Sequence, residues 1–334
     1  MKAAIYQGVG NVQVVDLPDP KPGPKDVVIK VISSGICGTD VAEYNVVNSG
    51  AVELGHQFGH EFAGTVAEVG SEVTGISTGM RVTVNPMTAT RIGRRNACMI
   101  GGFSQYVLVE DAAIDYNVYA LPDHLTFEDG ALVEPASVGM HGVNTARPKQ
   151  DDQVLILGAG PIGLSALAGM KALGVKNVIV SDISEFRLEK AKALGADAVH
   201  NPKEVDLVDF LEKVYPDQMG VMGYLDVVVD AAGVGSALED VIYLSKGGAR
   251  ISIVALHKSA ISLEPMFFIY KNLEMKGSVG YPTEFPQVIE FMASGKVDFK
   301  PTITHRFPLA EINTALKMTT KQDETIKVLI DMSA

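Results

Sequence analysis

The sequence predicts an α/β protein with a β-rich first part, running to about residue 135, and a doubly wound parallel sheet after it. Three observations carry that expectation. Short β-branched runs separated by Gly and Pro turns fill the first part. From about residue 150, apolar strand-like runs alternate with stretches of helical spacing. Between the first such strand and the first such helix stands Gly158-Ala159-Gly160-Pro161-Ile162-Gly163, which has the G-x-G-x-x-G spacing.

Each element follows from local chemistry. Strands are expected at 27–32, 62–70, 81–84 and 104–109, where Val, Ile, Thr and aromatic residues cluster. Residues 18–24 hold four prolines, which exclude a regular element there. This half is expected to be barrel-like. In the second half, 153–157, 177–180, 226–230 and 250–254 are apolar enough for strands buried on both faces. Residues 164–173 and 185–194 read as helices stopped by Gly174 and Gly195. Beyond about Gly280 the pattern is mixed again. The expected organisation is a catalytic domain from 1–137 and 281–334, enclosing a nucleotide-binding domain at 138–280.

Composition narrows the function. The 334 residues are 47% hydrophobic and 20% charged, a globular balance. The net charge of −12 disfavours nucleic acid and anionic membrane surfaces as partners. No apolar run is long enough for a transmembrane helix, and the first residues have no signal-peptide core. Two cysteines, Cys37 and Cys98, build no disulfide framework. A reducing cytoplasmic location is expected.

The glycine loop has the context its chemistry needs, with a strand before it, a helix after it and Asp182 ending the next strand. Gly158 permits the tight turn, Gly160 a close approach to pyrophosphate, and Gly163 close packing of the helix. The helix N-terminus offers N–H groups and a positive dipole end to phosphate. Pro161, Ile162 and Arg187 complete the expected cofactor-binding set. A carboxylate at Asp182 suits two ribose hydroxyls and repels a 2′-phosphate, so NAD is expected over NADP.

A second constellation lies upstream. Cys37-Gly38-Thr39-Asp40, Gly59-His60-Glu61 and Glu134-Pro135 supply a thiolate, an imidazole and carboxylates. That donor set suits a catalytic zinc with an open position. A Lewis acid and a hydride acceptor on one chain point to alcohol oxidation.

These motifs, with Gly79-Met80-Arg81-Val82, Gly101-Gly102-Phe103, Leu132-Val133-Glu134-Pro135 and Leu194-Gly195-Ala196-Asp197, resemble the zinc-dependent medium-chain dehydrogenase/reductase family. Within it, the chain is similar to the polyol and butanediol dehydrogenase branch. The resemblance covers essentially the whole chain. It implies a GroES-like catalytic domain and a Rossmann domain. It implies one catalytic zinc held by Cys37, His60 and Glu134, the last directly or through water, with Glu61 beside the metal. Asp40 would hold the other nitrogen of His60, and Thr39 would pass the substrate proton outward. The expected reaction is oxidation of a secondary alcohol, a vicinal diol or sugar polyol, with hydride transfer to NAD. A threonine-type amino-alcohol dehydrogenase is the runner-up. A zinc-free NADPH quinone reductase-like protein predicts neither the metal set nor Asp182, and a non-catalytic NAD-binding protein needs no intact metal set. A homodimer or homotetramer acting on a small molecule is expected.

Two departures from the family pattern stand out. Many relatives carry a structural zinc on four cysteines after the strand that holds Val84. Here residues 85–98 keep only Cys98, together with Arg91, Arg94 and Arg95, so no structural zinc is expected. Ala42 stands where relatives often have a histidine that ends a proton relay.

Overall fold

The computed structural model describes residues 1–46, 50–89, 97–216 and 223–333. The basic stretch containing Arg91, Arg94 and Arg95 therefore lies outside the described residues. The chain opens with β1 (Lys2–Tyr6), β2 (Val12–Asp16), β3 (Val27–Gly35) and α1 (Gly38–Asn45). It continues through β4 (Glu61–Val69), β5 (Arg81–Val84), α2 (Pro86–Ala89), β6 (Tyr106–Val109), β7 (Val118–Ala120) and α3 (Phe127–Ala146). Then β8 (Gln153–Leu157), α4 (Pro161–Ala172), β9 (Asn177–Ser181), α5 (Glu185–Ala193), β10 (Ala198–His200) and α6 (Leu207–Val214) alternate. The alternation runs on through β11 (Leu225–Asp230), α7 (Gly235–Leu244), β12 (Ser245–Ile253), α8 (Pro265–Lys271) and β13 (Glu274–Gly277). The chain closes with α9 (Glu284–Ala293), β14 (Ile303–Pro308), α10 (Ile312–Met318) and β15 (Lys327–Asp331).

Cα packing divides these elements into two units. The first comprises Met1–Pro135, Phe285–Ala293 and Ile303–Ala334; the second comprises Ala136–Glu284 and Ser294–Thr302. In the first unit β1 and β2 form a ribbon, and seven strands form a sheet in the order β14-β15-β3-β4-β5-β7, with β6 also on β3. Strand β3 outruns its sequence-based limit at residue 32, because β15 pairs with Ser33, Ser34 and Gly35. That partner lies some three hundred residues away, where local propensity cannot see it. Ser104 and Gln105 fall outside β6, although 104–109 reads as one strand. Ser104 instead bridges Ala3, and the Gln105 side chain accepts from the Lys2 N–H. Phe58, Phe62, Phe103, Val27, Ile29, Val82 and Val107 are among the buried residues of this core.

The second unit is a six-stranded parallel sheet in the order β10-β9-β8-β11-β12-β13. Every residue of β8 is buried, Gln153 included, as the apolar run from Val154 to Leu157 requires. Helix α4 begins at Pro161, three residues before the periodic apolar pattern, with Gly160 as its N-cap. Proline at the first position gives up an N–H that has no intrahelical partner there. The helix stops where expected, with Gly174 at φ +81°. The three-residue β10 and the short, largely exposed β13 carry too weak an apolar pattern to be read from sequence.

Candidate metal centre and nucleotide loop

Three chain segments meet at Gly35 in the first unit. Strand β3 ends there and hands the chain to Cys37, the N-cap of α1. Glu61 opens β4 and is the register partner of Gly35. Lys327 opens β15, whose Leu329 also pairs with Gly35. A Cβ at Gly35 would lie 2.2 Å from a Glu61 carboxylate oxygen, so only glycine lets that carboxylate settle there. Before His60, Gly59 has φ +90°, and a Cβ on it would strike the Phe103 ring at 2.6 Å. The glycine preceding His60 thus sets the direction in which the imidazole enters.

Candidate ligand atoms of Cys37, His60 and Glu61 all lie within 4.8 Å of one another. They form the single such group among the described residues. His60 is 4% exposed and Glu61 1%. Ligands around a tetrahedral zinc sit about 3.5 Å apart, given bonds of about 2.0–2.3 Å, so small side-chain adjustments close this set on a cation. Asp40 lies just outside. Its Oδ2 accepts from the Cys37 N–H at 2.9 Å, and its Oδ1 is 3.8 Å from His60 Nδ1, beyond hydrogen-bond reach. Both of these facing atoms are buried without a hydrogen-bond partner among the described residues. His60 Nδ1 faces Asp40, so Nε2 is the nitrogen left to a cation. The Thr39 hydroxyl stands 3.7 Å from the Cys37 sulfur.

Lys327, absent from every sequence-based expectation, is the counter-charge of this site. Its Nζ donates to both Glu61 oxygens, at 2.8 and 2.7 Å, and to the Ile36 carbonyl at 3.0 Å. It is 2% exposed. One signal pointed to it: a lysine opening the otherwise apolar run Lys327-Val328-Leu329-Ile330. A cation buried in such a strand needs a buried anion. Burial works against the ammonium form, but Glu61 and then Cys37 outweigh it and hold the Lys327 pKa up.

The remaining groups are electrostatically strained. Burial pushes the Cys37 thiol up, and the Glu61 and Asp40 carboxylates add to the effect. Burial also pushes the Asp40 carboxyl up to about 6. For His60 burial acts downward, but the neighbouring Cys37 and Asp40 outweigh it and hold the imidazole well above its ordinary range. A thiol and two carboxylates converge here, with Lys327 as the permanent cation among the described residues. Their donor chemistry of sulfur, nitrogen and oxygen fits a divalent metal.

Glu134 reaches this region from α3, whose N-terminus is fixed by a reciprocal cap: Thr126 N–H to Asp129, and Asp129 N–H to the Thr126 hydroxyl. Glu134 is buried and raises the Lys327 pKa, but it is not part of the close Cys37–His60–Glu61 group. Cys98 also helps to raise the His60 pKa, an influence that no sequence spacing announced. Ala42 is exposed on α1. Tyr44 and Phe103 are core residues: the Tyr44 hydroxyl donates to the Gly10 carbonyl at 3.0 Å, and Phe103 packs edge-on against Phe58.

In the second unit the glycine loop follows β8. Gly158 has φ +91° and lies close to the Ala231 backbone, and a Cβ at Gly163 would collide with the Gly158 carbonyl oxygen at 1.8 Å. Above Gly160 the nearest atom belongs to the Arg187 guanidinium, 3.7 Å from where a Cβ would stand. The Asp182 carboxylate accepts from the Ala159 N–H at 2.6 Å and the Ser184 N–H at 2.9 Å. It therefore braces the glycine loop itself, a duty the sequence motif does not express. Beneath it, buried His200 bridges Ser181 at Nδ1 (2.8 Å) and the Val205 carbonyl at Nε2 (2.9 Å). Burial holds that imidazole below its ordinary pKa.

Residues 23–123 match the family described as "Alcohol dehydrogenase GroES-like domain", and residues 161–294 that described as "Zinc-binding dehydrogenase". The chain is 33% identical over 343 residues to sorbitol dehydrogenase of Bos taurus, covering 98% of this chain and 94% of the relative. It is also 33% identical over 350 residues to sorbitol dehydrogenase of Bacillus subtilis (strain 168), covering 99% and 97%. Its structure superposes on that of 2R,3R-butanediol dehydrogenase from Bacillus subtilis with a TM-score of 0.87 at 28% identity, covering 99% of both chains. With a GroES-like unit that gathers Cys37, His60 and Glu61 and a parallel-sheet unit that carries the glycine loop, this chain belongs to the zinc-dependent medium-chain dehydrogenase/reductase family, on its polyol and butanediol dehydrogenase-like branch.

Proposed function

We propose that the protein oxidises a secondary alcohol of the vicinal-diol or sugar-polyol class to the ketone, passing hydride to NAD. The observation that carries this reading is the Cys37–His60–Glu61 group, its histidine and glutamate buried, with its Lys327 counter-ion. When bound, zinc supplies Lewis acidity and the nicotinamide supplies the hydride acceptor. Cys37, His60 and a Glu61 oxygen would hold one zinc per chain, with Glu134 serving the site directly or through water. Asp40 orients His60 by capping α1 and facing Nδ1. Lys327 sets how much of the Glu61 charge is left for the cation. Thr39, whose hydroxyl stands 3.7 Å from the Cys37 sulfur, accepts the hydroxyl proton and passes it outward, since Ala42 offers no relay imidazole. Residues 1–137 with 281–334 form the catalytic domain and 138–280 the NAD-binding domain. The pyrophosphate lies on the glycine loop with Arg187 beside it. A homodimer or homotetramer is supported by the outer strand β13 and by exposed Met266, Ile269 and Tyr270 on the neighbouring α8.

A panel of sorbitol, 2,3-butanediol and L-threonine, read by NADH absorbance before and after chelation, tests the substrate class. Activity on a polyol or diol that disappears with the chelator and returns with zinc is the expected result. Full activity in exhaustively metal-free protein would overturn it.

NAD selectivity is assigned to Asp182. Asp182→Ala is expected to lower the preference for NAD over NADP by about tenfold, the effect of removing one charge repulsion with a 2′-phosphate. Because Asp182 also holds the Ala159 N–H, the affinity for both cofactors should fall together with the ratio. An unchanged ratio removes Asp182 from that role.

A further inference from the structure

Asp230 ends β11 and is fully buried. Its Oδ1 accepts from the Ala232 and Gly233 N–H groups at 3.1 and 3.0 Å. Its Oδ2 receives the Nε2–H of His257 at 2.6 Å. A buried carboxylate is tolerated only when its oxygens are satisfied in this way. With Nε2 donating, Nδ1 of His257 is left as an acceptor on a side chain that retains 16% exposure. Nothing in the proposed reaction so far uses this pair.

Its place in the sheet says what it faces. Strands β8 and β11 are neighbours, and from them the chain order runs outward in opposite directions, to β9 and β10 on one side and to β12 and β13 on the other. Ligands of doubly wound sheets lie outside the carboxyl ends at that reversal. The turn after Asp230 is wedged there. A Cβ on Gly158 would stand 3.1 Å from the Ala231 backbone, and one on Gly233 would stand 3.1 Å from the Leu256 carbonyl oxygen. Asp182 lies beyond β8, at the end of β9. A dinucleotide with its adenosine ribose at Asp182 and its pyrophosphate on the glycine loop must carry its second half across β11 and β12. On that side Val234, Leu256 and Val279 are exposed by 51%, 88% and 84%. They follow the carboxyl ends of β11, β12 and β13 in turn, an apolar rim suited to the face of a flat ring.

We propose that His257, anchored by Asp230, is a positioning residue that accepts a hydrogen bond at Nδ1 from the nicotinamide riboside half of the cofactor. This rests on the nucleotide-site reading above. The test compares NADH with ADP-ribose, which lacks the nicotinamide, in calorimetric titrations of the full zinc-loaded chain. His257→Ala is expected to weaken NADH about tenfold and to leave ADP-ribose within about twofold. His257→Gln, whose amide can both donate to Asp230 and accept, should recover most of the NADH affinity. His257→Phe replaces the alanine variant if that one does not fold. Asp182→Ala serves as the control that weakens both ligands. Unchanged NADH binding, or equal losses for both ligands, overturns the assignment of His257 alone. A parent protein that binds neither ligand overturns the nucleotide site and this assignment together.

Discussion

Cys37→Ser protein is expected to purify nearly free of zinc and to lose about a thousandfold in kcat/KM on its best alcohol. The ligand change alone should cost at least about a hundredfold in metal affinity, which is the upper range for positions that merely support a ligand. Loss of a Lewis acid removes several kcal/mol of transition-state stabilisation, and each 1.36 kcal/mol is about a factor of ten. Cys98→Ser is the matched control. It removes the only other thiol, which also helps to raise the His60 pKa, but that thiol is outside the close ligand group. Metal content by plasma emission and turnover by NADH absorbance read both variants. A Cys37→Ser protein that keeps its zinc and its rate would remove Cys37 from the metal set, as would equal zinc loss in both variants.

The second large effect concerns stability. Lys327→Met leaves the Glu61 carboxylate, 1% exposed, facing Cys37 and Asp40 without the ammonium that pairs with it. Removing one member of a buried ion pair costs about 3–5 kcal/mol. For a unit of this size each kcal/mol moves the melting temperature by about 2–4 °C, so the metal-free variant should melt about 6–20 °C below the metal-free parent. Replacing Glu61 by Gln in the same chain removes the stranded charge and should restore most of the loss, since contacting residues are not additive. Equal melting temperatures for Lys327→Met and the parent, both metal-free, would mean that Lys327 is not the charge holding Glu61 in place.

The two halves of the chain differ in how far local chemistry reveals them. The parallel sheet was legible because its strands are buried on both faces and its helices end at glycines such as Gly174. The extension of β3 to Gly35, its pairing with β15 and the anchoring of Asp182 on the Ala159 N–H were not, because each depends on partners distant in the chain. His60 and Cys37 stood out as residue types a metal needs. Which carboxylate stands nearest was undecided by spacing, since Glu61 and Glu134 both follow reasonable patterns. Strand register answers it geometrically: Glu61 pairs with Gly35 and is drawn into the site, and Glu134 arrives from a helix outside the close group.

Short-range chemistry, then, was enough to name a thiol, an imidazole, carboxylates and a glycine loop, because hydrophobic period, turn residues and donor types are properties of neighbouring positions. Tertiary structure alone could bring Lys327 to Glu61, Cys98 to His60 and His257 to Asp230. Burial of a charge is paid back only by a partner chosen in three dimensions, and the chain separating those partners leaves no pattern in the sequence.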